Sequence, residues 1–285
     1  MLYSKKLNGI EIEVESKGAE LKGLKRDGKE FMWDANPKYW GKTSPVLFPF
    51  VGGSKDDKYS YEGVEYPMGR HGFARDNEFE LVENGTNNLK FLYKWNEESL
   101  KVYPFKFEFY INYVLTENGV NLEYTVSNKE EENLYFSLGT HPAFALDKYD
   151  VKDYYIEFSE KETLDLYILD GLTVANETKP FLNDEKIIKI TEGLFANDAL
   201  VFKNPKSDYL SIKNIHDNFE VKVSLKDFPW LGIWAPEGAP FLCLEPWCGV
   251  ADFSNHDGNL VNKVAVNKIA KGEEFERTME IIVKN

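Results

Sequence analysis

The stretch FEFYINYVLTENGVNLEYTV, residues 107–126, predicts the fold class of the chain. Apolar and polar side chains alternate from Phe107 to Val114 and again from Val120 to Val126, as in strands that bury one face. Asn118-Gly119 separates the two runs, and this pair tolerates the positive φ angles of tight hairpin turns. The stretch therefore predicts an antiparallel hairpin with one face in the core.

Strand-like runs bounded by turn pairs recur along the whole chain. Further turn pairs are Asn8-Gly9, Asp27-Gly28, Asn84-Gly85, Asp170-Gly171 and Asp257-Gly258. Further strands are predicted at 10–15, 154–158, 199–202, 209–212, 219–225, 231–235 and 275–283, with one short helical turn at 97–102. Antiparallel strands must bury a common face, so we predict an all-β protein of packed antiparallel sheets with few or no long helices. We expect residues 1–285 to form a single domain.

The composition narrows the classes of partner. The 42% of hydrophobic residues suffice for a packed core, and the formal charge of -14 argues against nucleic acid or an anionic membrane as a partner. No segment has the apolar length of a membrane-spanning helix or the core of a signal peptide. Two cysteines, Cys243 and Cys248, offer no disulfide framework. We expect a cytoplasmic protein that binds a small molecule.

Two short segments predict an acid–base pair. His141, in Gly139-Thr140-His141-Pro142, follows the strand-like run 134–138, in which Leu134, Phe136 and Leu138 share a face. Glu245 follows the strand-like run 241–244 and also precedes a proline. A proline restricts the residue before it to extended conformations, so both side chains leave the backbone in restricted directions. From the residues alone, a histidine or a glutamate before a proline more often just marks a strand end.

Other chemistry has less support. No pair of histidines has metal-binding spacing, and no phosphate loop, dinucleotide fingerprint or nucleophile elbow occurs, so we predict no metal and no cofactor. Cys243 is interpreted as a small buried strand residue, and His216 and His256 as turn residues. Glu245 with Asp198 or Asp252 leaves glycoside hydrolysis open. Tryptophans such as Trp40, Trp234 and Trp247 either stack on a sugar or fill the core.

Four motifs in order resemble the aldose 1-epimerase (galactose mutarotase-like) superfamily, and most closely its bacterial branch associated with lactose operons. They are Arg70-His71-Gly72-Phe73-Ala74-Arg75, Gly139-Thr140-His141-Pro142-Ala143-Phe144, Asn197-Asp198-Ala199-Leu200 and Leu244-Glu245-Pro246-Trp247. The resemblance covers essentially the whole chain. It implies a β-supersandwich with an open cleft for a monosaccharide, in a monomer or homodimer.

The resemblance also implies roles for single residues. Glu245 resembles the general base and His141 the general acid of an isomerase that interconverts the α and β anomers of an aldose. His71 resembles the histidine that holds the sugar and its ring oxygen, and Asp198 the aspartate that binds sugar hydroxyls. Trp247, beside the base, is expected to form a wall of the cleft.

One position departs from the pattern. Related sequences commonly have Val-Gly-Arg where this chain has Val51-Gly52-Gly53, so Gly53 stands in the place of an arginine that reaches the substrate. Lys55, Arg70 or Arg75 could supply the missing charge. A hexose-6-phosphate mutarotase, which needs basic groups such as these and Lys42, is one alternative function. A non-catalytic sugar-binding or sensing protein is another.

Overall fold

The computed structural model describes residues 1–146 and 148–284, and most of its regular structure is β-strand. The strands are β1 (Leu2–Leu7), β2 (Ile10–Glu15), β3 (Glu20–Arg26), β4 (Lys29–Glu30), β5 (Val46–Leu47), β6 (Lys58–Tyr61), β7 (Val64–Pro67), β8 (Glu80–Asn84), β9 (Asn88–Lys94), β10 (Phe107–Leu115), β11 (Gly119–Asn128), β12 (Leu134–Phe136), β13 (Leu138–Thr140), β14 (Ala143–Ala145), β15 (Tyr154–Asp170), β16 (Thr173–Lys189), β17 (Leu200–Lys203), β18 (Tyr209–Asn214), β19 (Glu220–Ser224), β20 (Trp230–Trp234), β21 (Phe241–Cys248), β22 (Asn267–Ile269) and β23 (Glu274–Lys284). The helices are α1 (Glu97–Val102) and the 3-10 turns Lys55–Asp57, Ala74–Asp76, Val151–Asp153 and Leu260–Asn262.

The strands form one large sheet and several small ones. The large sheet has 15 strands, most of them along the path β5-β13-β21-β20-β17-β15-β18-β19-β23-β11-β10-β9-β8, with β14 beside β21 and β16 beside β15. Strands β1 to β4 form a second sheet, and the pairs β12-β22 and β6-β7 stand apart from it. The predicted all-β class with antiparallel sheets is confirmed.

The hairpin that opened the sequence analysis is confirmed, although its turn differs from the prediction. Strands β10 and β11 pair from Phe107 opposite Asn128 to Leu115 opposite Val120, and every second side chain of β10 is buried. Gly119 does not have a positive φ angle. It is needed because a Cβ atom there would lie 1.9 Å from the carbonyl oxygen of Ile281 on the neighbouring strand β23.

The core lies between the four-stranded sheet and the large sheet. Ile10, Ile12 and Val14 of β2 are fully buried and belong to the same core cluster as Phe91 and Ile111 of the large sheet. The hydroxyl of Tyr113 donates a hydrogen bond of 2.6 Å across this core to the carbonyl of Ala19. Burial of these faces provides the main stabilisation of the layered arrangement.

Three local predictions are resolved by the structure. The short helix at Glu97–Val102 is confirmed, and the Asn96 side chain caps it by accepting hydrogen bonds from the amides of Glu98 and Ser99. The run 134–138 is not one strand, because it breaks at Ser137, whose amide donates to the Pro49 carbonyl. Strand β21 does not end before Glu245 but continues through it to Cys248.

In the part of the chain that the structure describes, no helix has the length and apolar character needed to cross a membrane.

Candidate active site

The register of the sheet places His141 opposite Glu245. Along one edge, strand β21 pairs first with β14, where Ala143 lies opposite Cys243. Further along the same edge it pairs with β13, where Gly139 lies opposite Trp247. Both pairings share one register, and His141 and Pro142 form the gap between them. Pro142 and Pro246, which have no backbone N–H to donate, both fall at this gap, so the interruption costs fewer ladder hydrogen bonds.

The two side chains meet inside a buried pocket. Nε2 of His141 lies 3.4 Å from Oε2 of Glu245, and the side chains are only 10% and 2% exposed. The indole of Trp40 stacks on the imidazole at 4.7 Å between ring centroids, and Trp234 meets the imidazole edge-on at 5.7 Å. Nδ1 of His141 is buried and has no hydrogen-bond partner among the described residues.

Burial shifts both pKa values towards the uncharged forms. It lowers the pKa of His141 to about 3, helped by the nearby charges of Arg70 and Arg75 and opposed by a backbone hydrogen bond. It raises the pKa of Glu245 well above 4.5, opposed by Arg70 and supported by Asp198. Because burial favours the uncharged form of both groups, a single proton held by the pair lies on the carboxyl group and can pass between carboxylate and imidazole.

His71 lines the same pocket. The amide of Gly52 donates to its Nδ1 at 3.1 Å. Burial, followed by His141, Arg70 and Arg75, lowers the pKa of His71 well below 6.5 and keeps the ring neutral. Nε of Arg70 donates to Nε2 of His71 at 3.2 Å, and a neutral imidazole accepts through one ring nitrogen only, so a single tautomer satisfies one of these two donors.

Asp198 lines the same cavity and pairs with Arg70. Its Oδ2 accepts from Nη2 of Arg70 at 3.3 Å, and its Oδ1 accepts from the amide of Ala199 at 2.8 Å. Arg75 donates to the carbonyl of Arg70 at 2.8 Å, and burial lowers the pKa of Arg75. His71 and Asp198 both have positive φ angles, at 72° and 70°. Such strain costs about 1–3 kcal/mol per residue and is concentrated at functional sites.

Trp247 lies against this pocket with its indole N–H 3.3 Å from the carbonyl of Thr140. Two glycines make room for it. A Cβ atom at Gly232 would lie 2.3 Å from the indole ring, and one at Gly139 would lie 2.6 Å from it. Trp247 therefore forms part of a wall, where the sequence analysis expected it.

One cavity of about 350 Å³ collects the predicted residues. Its lining includes Arg70, His71, Arg75, His141, Asp198, Glu245 and Trp247, to which the sequence analysis gave catalytic or binding roles. The lining also includes Trp40, Trp234, Leu169, Leu172, Val174, Val201 and Val250, which the sequence analysis did not assign to it. The tryptophans were recognised only as possible sugar platforms, and no sequence pattern distinguishes them from core residues.

Several charged residues considered from the sequence lie elsewhere. Lys42 pairs with Asp76 at 3.6 Å, and Lys55 donates to the carbonyl of His256 at 3.4 Å; neither lines the cavity. Asp252 also lies outside the cavity lining, paired with Lys263 at 2.5 Å between Nζ and Oδ1. Arg70 and Arg75 are therefore the cations of the cavity lining.

The two remaining histidines lie outside the cavity lining. His216 sits in the turn between β18 and β19, as predicted, and pairs with Asp153 at 2.8 Å. His256 is more buried than a simple turn residue, with its side chain 7% exposed and its Nε2 3.9 Å from Asp252.

One group of three potential metal ligands occurs among the described residues. Donor atoms of His141, Cys243 and Glu245 all lie within 4.8 Å of one another. A metal ion requires a thiolate and a carboxylate. Burial, followed by the neighbouring Glu245, raises the pKa of the Cys243 thiol well above 9, and burial raises the pKa of Glu245 well above 4.5, so both shifts oppose the metal-binding forms. The protonation of the site thus fits a proton-transfer pair better than a metal centre.

Comparisons with known proteins support the resemblance noted in the sequence. The sequence model of the family described as aldose 1-epimerase matches residues 2–281. The plasmid-encoded protein LacX of Lactococcus lactis subsp. lactis is 31% identical over 293 residues, covering 97% of each chain.

Two solved structures of similar proteins agree with this family match. A galactose mutarotase related enzyme from Lactobacillus acidophilus superposes with a TM-score of 0.95 at 35% identity, covering 100% of this chain and 98% of that one. A galactose mutarotase-like protein from Lactobacillus casei superposes with a TM-score of 0.94 at 26% identity, covering 100% of both chains.

Proposed function

Because this chain belongs to the aldose 1-epimerase family, we propose that it interconverts the α and β anomers of a monosaccharide in the cavity that His141 and Glu245 line. Membership of this family supports a mutarotase-type activity. The observation that carries the specific proposal is the buried contact of 3.4 Å between the two side chains. It supplies an acid and a base at the wall of a cavity whose volume suits a small ligand.

The reaction needs one proton to leave the substrate and one to arrive. Glu245, as carboxylate, takes the proton from the hydroxyl group on C1 while His141, as imidazolium, donates a proton to the ring oxygen, and the bond between C1 and that oxygen breaks. The open aldehyde rotates about the C1–C2 bond. Reclosure on the opposite face reverses both proton transfers and gives the other anomer.

The number of protons held by Glu245 and His141 together suits this cycle. Protonated Glu245 with neutral His141 carries the same number of protons as carboxylate with imidazolium, so one proton shift across 3.4 Å interconverts them. Arg70, whose charge favours ionised Glu245, supports the reactive form. A positioned acid and a positioned base each contribute about 10²–10⁴-fold to a rate.

The remaining polar groups are assigned to binding. His71 and Arg70 both line the cavity and are assigned to hold a sugar oxygen. Asp198 accepts hydrogen bonds from sugar hydroxyls, and Arg75 positions Arg70 by donating a hydrogen bond to its carbonyl. The aromatic faces of Trp40, Trp234 and Trp247 provide apolar surface for the C–H groups of the ring.

Exchange NMR of anomer interconversion tests the proposal on a panel of hexoses and pentoses. Wild type should accelerate exchange for at least one sugar, and Glu245→Gln or His141→Ala should abolish the acceleration. No acceleration across the panel would contradict the proposal. Sugar binding that is unchanged in Glu245→Gln, with no exchange in wild type, would instead indicate a non-catalytic sugar-binding protein.

A hexose 6-phosphate is the second candidate substrate. The observation that favours it is the presence of two arginines, Arg70 and Arg75, in the cavity lining, because guanidinium groups bind phosphate. Both arginines already have protein partners, Asp198 for Arg70 and Asp76 for Arg75 at 3.7 Å. Glucose 6-phosphate measured beside glucose in the same NMR panel distinguishes the two substrates.

A further inference from the structure

The turn between β15 and β16 lies directly on the loop that contains Gly53. A Cβ atom at Gly53 would lie 2.5 Å from the carbonyl oxygen of Leu172 and 2.6 Å from its Cβ. The backbone of Gly53 does not have a positive φ angle. Glycine is therefore needed at this position because of the close approach of Leu172, and no side chain can extend from residue 53 into the cavity while the turn keeps its place.

Hydrogen bonds around Asp252 hold the turn and the loop together. The amide of Val174, at the start of β16, donates to the carbonyl of Asp252 at 2.8 Å, and the amide of Ser254 donates to the carbonyl of Val174 at 2.8 Å. The amide of Asp252 donates to the carbonyl of Gly53 at 3.0 Å. Its carboxylate accepts from the amide of Lys55 at 2.9 Å. The turn is thus held in place as part of the cavity wall.

This wall contributes apolar side chains to the cavity. Leu169, Leu172 and Val174 come from the hairpin, and Val201 and Val250 continue the apolar surface. The charged and hydrogen-bonding side chains of the cavity belong to other segments, carrying the arginines, both histidines, Asp198 and Glu245. A methyl group placed against these side chains buries apolar surface, whereas a hydroxyl or phosphate there finds no side-chain partner among them.

We propose that Leu172 and its turn make this site selective for a 6-deoxyhexose, a sugar whose exocyclic carbon is a methyl group. This inference rests on the proposed anomer interconversion and names its substrate class. The ring hydroxyls require the polar side chains, so the exocyclic carbon is the substituent left for the apolar wall. A pocket of this kind separates substrates that differ by one hydroxyl by about 10²-fold or less.

The test compares kcat/KM for anomer exchange in the matched series 6-deoxygalactose, galactose and galactose 6-phosphate. Wild type should prefer the 6-deoxy sugar over galactose by about 10-fold or more, with the phosphate slowest. Equal or higher values for galactose or its phosphate would overturn the inference. If wild type accelerates exchange of no sugar, the proposed function fails, and dissociation constants from calorimetry then decide selectivity on the same criterion.

Leu172→Gln examines the wall itself, because the new amide supplies a hydrogen-bonding partner at the same place. It should reduce the preference for 6-deoxygalactose over galactose to about one. Ile187→Gln is the matched control, since Ile187 belongs to the same hairpin, is 42% exposed as against 41% for Leu172, and does not line the cavity. A Leu172→Gln protein that changes all three sugars by the same factor would show a structural role only and overturn the inference.

Discussion

The indole ring of Trp40 stacks on the imidazole ring of His141, with the ring centroids 4.7 Å apart and the planes inclined by 26°. This contact covers the imidazole from one side, while Trp234 meets it edge-on. Because the rings exclude water, the charged form of His141 is disfavoured and its pKa lies at about 3. The tryptophans therefore control the protonation of the proposed acid as well as the shape of the cavity.

The rate of anomer exchange in the wild type should not change with pH through titration of His141 near pH 6.5. Burial lowers the pKa of His141 to about 3, so the neutral imidazole gains a proton only in acid. Trp40→Ala should expose the imidazole and raise its pKa towards 6.5, so the rate of the variant should change with pH between 5 and 7. Exchange NMR corrected for the uncatalysed rate measures both profiles. A limb near pH 6.5 in wild type would be inconsistent with a buried, neutral His141.

Glu245→Gln should become progressively more stable than wild type as the pH rises above 4.5. Glu245 has a raised pKa when folded, so above pH 4.5 the unfolded chain releases a proton that the folded chain retains, and wild-type stability falls. The expected gain of the variant is about 1.4 kcal/mol per pH unit until the folded pKa is reached. Urea unfolding at pH 5, 6 and 7 measures it.

Glu131→Gln is the control for this experiment, because Glu131 has an 82% exposed side chain that pairs with Lys271. Its stability relative to wild type should hardly change with pH. A Glu245→Gln curve that runs parallel to that of Glu131→Gln would show that the carboxyl of Glu245 has an ordinary pKa in the folded protein.

Gly53→Ala should raise KM and leave kcat less affected. The added methyl group would lie 2.5 Å from the carbonyl oxygen of Leu172, so the turn must move and the cavity wall with it. Gly41→Ala is a matched control, because a Cβ atom there would meet nothing within 4 Å and its neighbour Trp40 also lines the cavity. Steady-state kinetics of both variants measure KM and kcat. Equal KM values would mean that the turn does not contribute to binding.

Lys263→Met should destabilise the protein by about 3–5 kcal/mol, because it leaves the buried carboxylate of Asp252 without its charged partner. Both side chains of this pair are 1% exposed. Lys271→Met removes an ion pair whose lysine is 61% exposed and should cost about 1 kcal/mol or less. Denaturant unfolding of the two variants measures the difference. A small effect of Lys263→Met would show that the pair is not needed to hold the wall.

The sequence predicted local structure well where alternation and turn residues coincide. The hairpin from Phe107 to Asn128 is an example, since its register follows from its own residues. It could not predict that His141 faces Glu245, because that depends on how β13 and β14 pair with a distant strand. The resemblance to a family, rather than any spacing, brought the two residues together before the structure did.

Trp40 and Leu172 show a second limit of sequence-based prediction. An aromatic or aliphatic residue has the same local pattern whether it fills the core or lines a cavity. Gly53 carried a signal, since a glycine in place of an arginine marks a change in the wall. Its cause, the close approach of the β15–β16 turn, is visible only in three dimensions.

The most direct test of the central claim is a double-mutant cycle on His141→Ala and Glu245→Gln, with anomer exchange measured by NMR. If the two side chains act as one pair on the sugar, each single variant should lose about 10²–10⁴-fold, and the double variant should lose little more than either one. His216→Gln, which alters a histidine outside the cavity, should retain the wild-type rate. Losses that multiply in the double variant, or a single variant with the wild-type rate, would contradict the account.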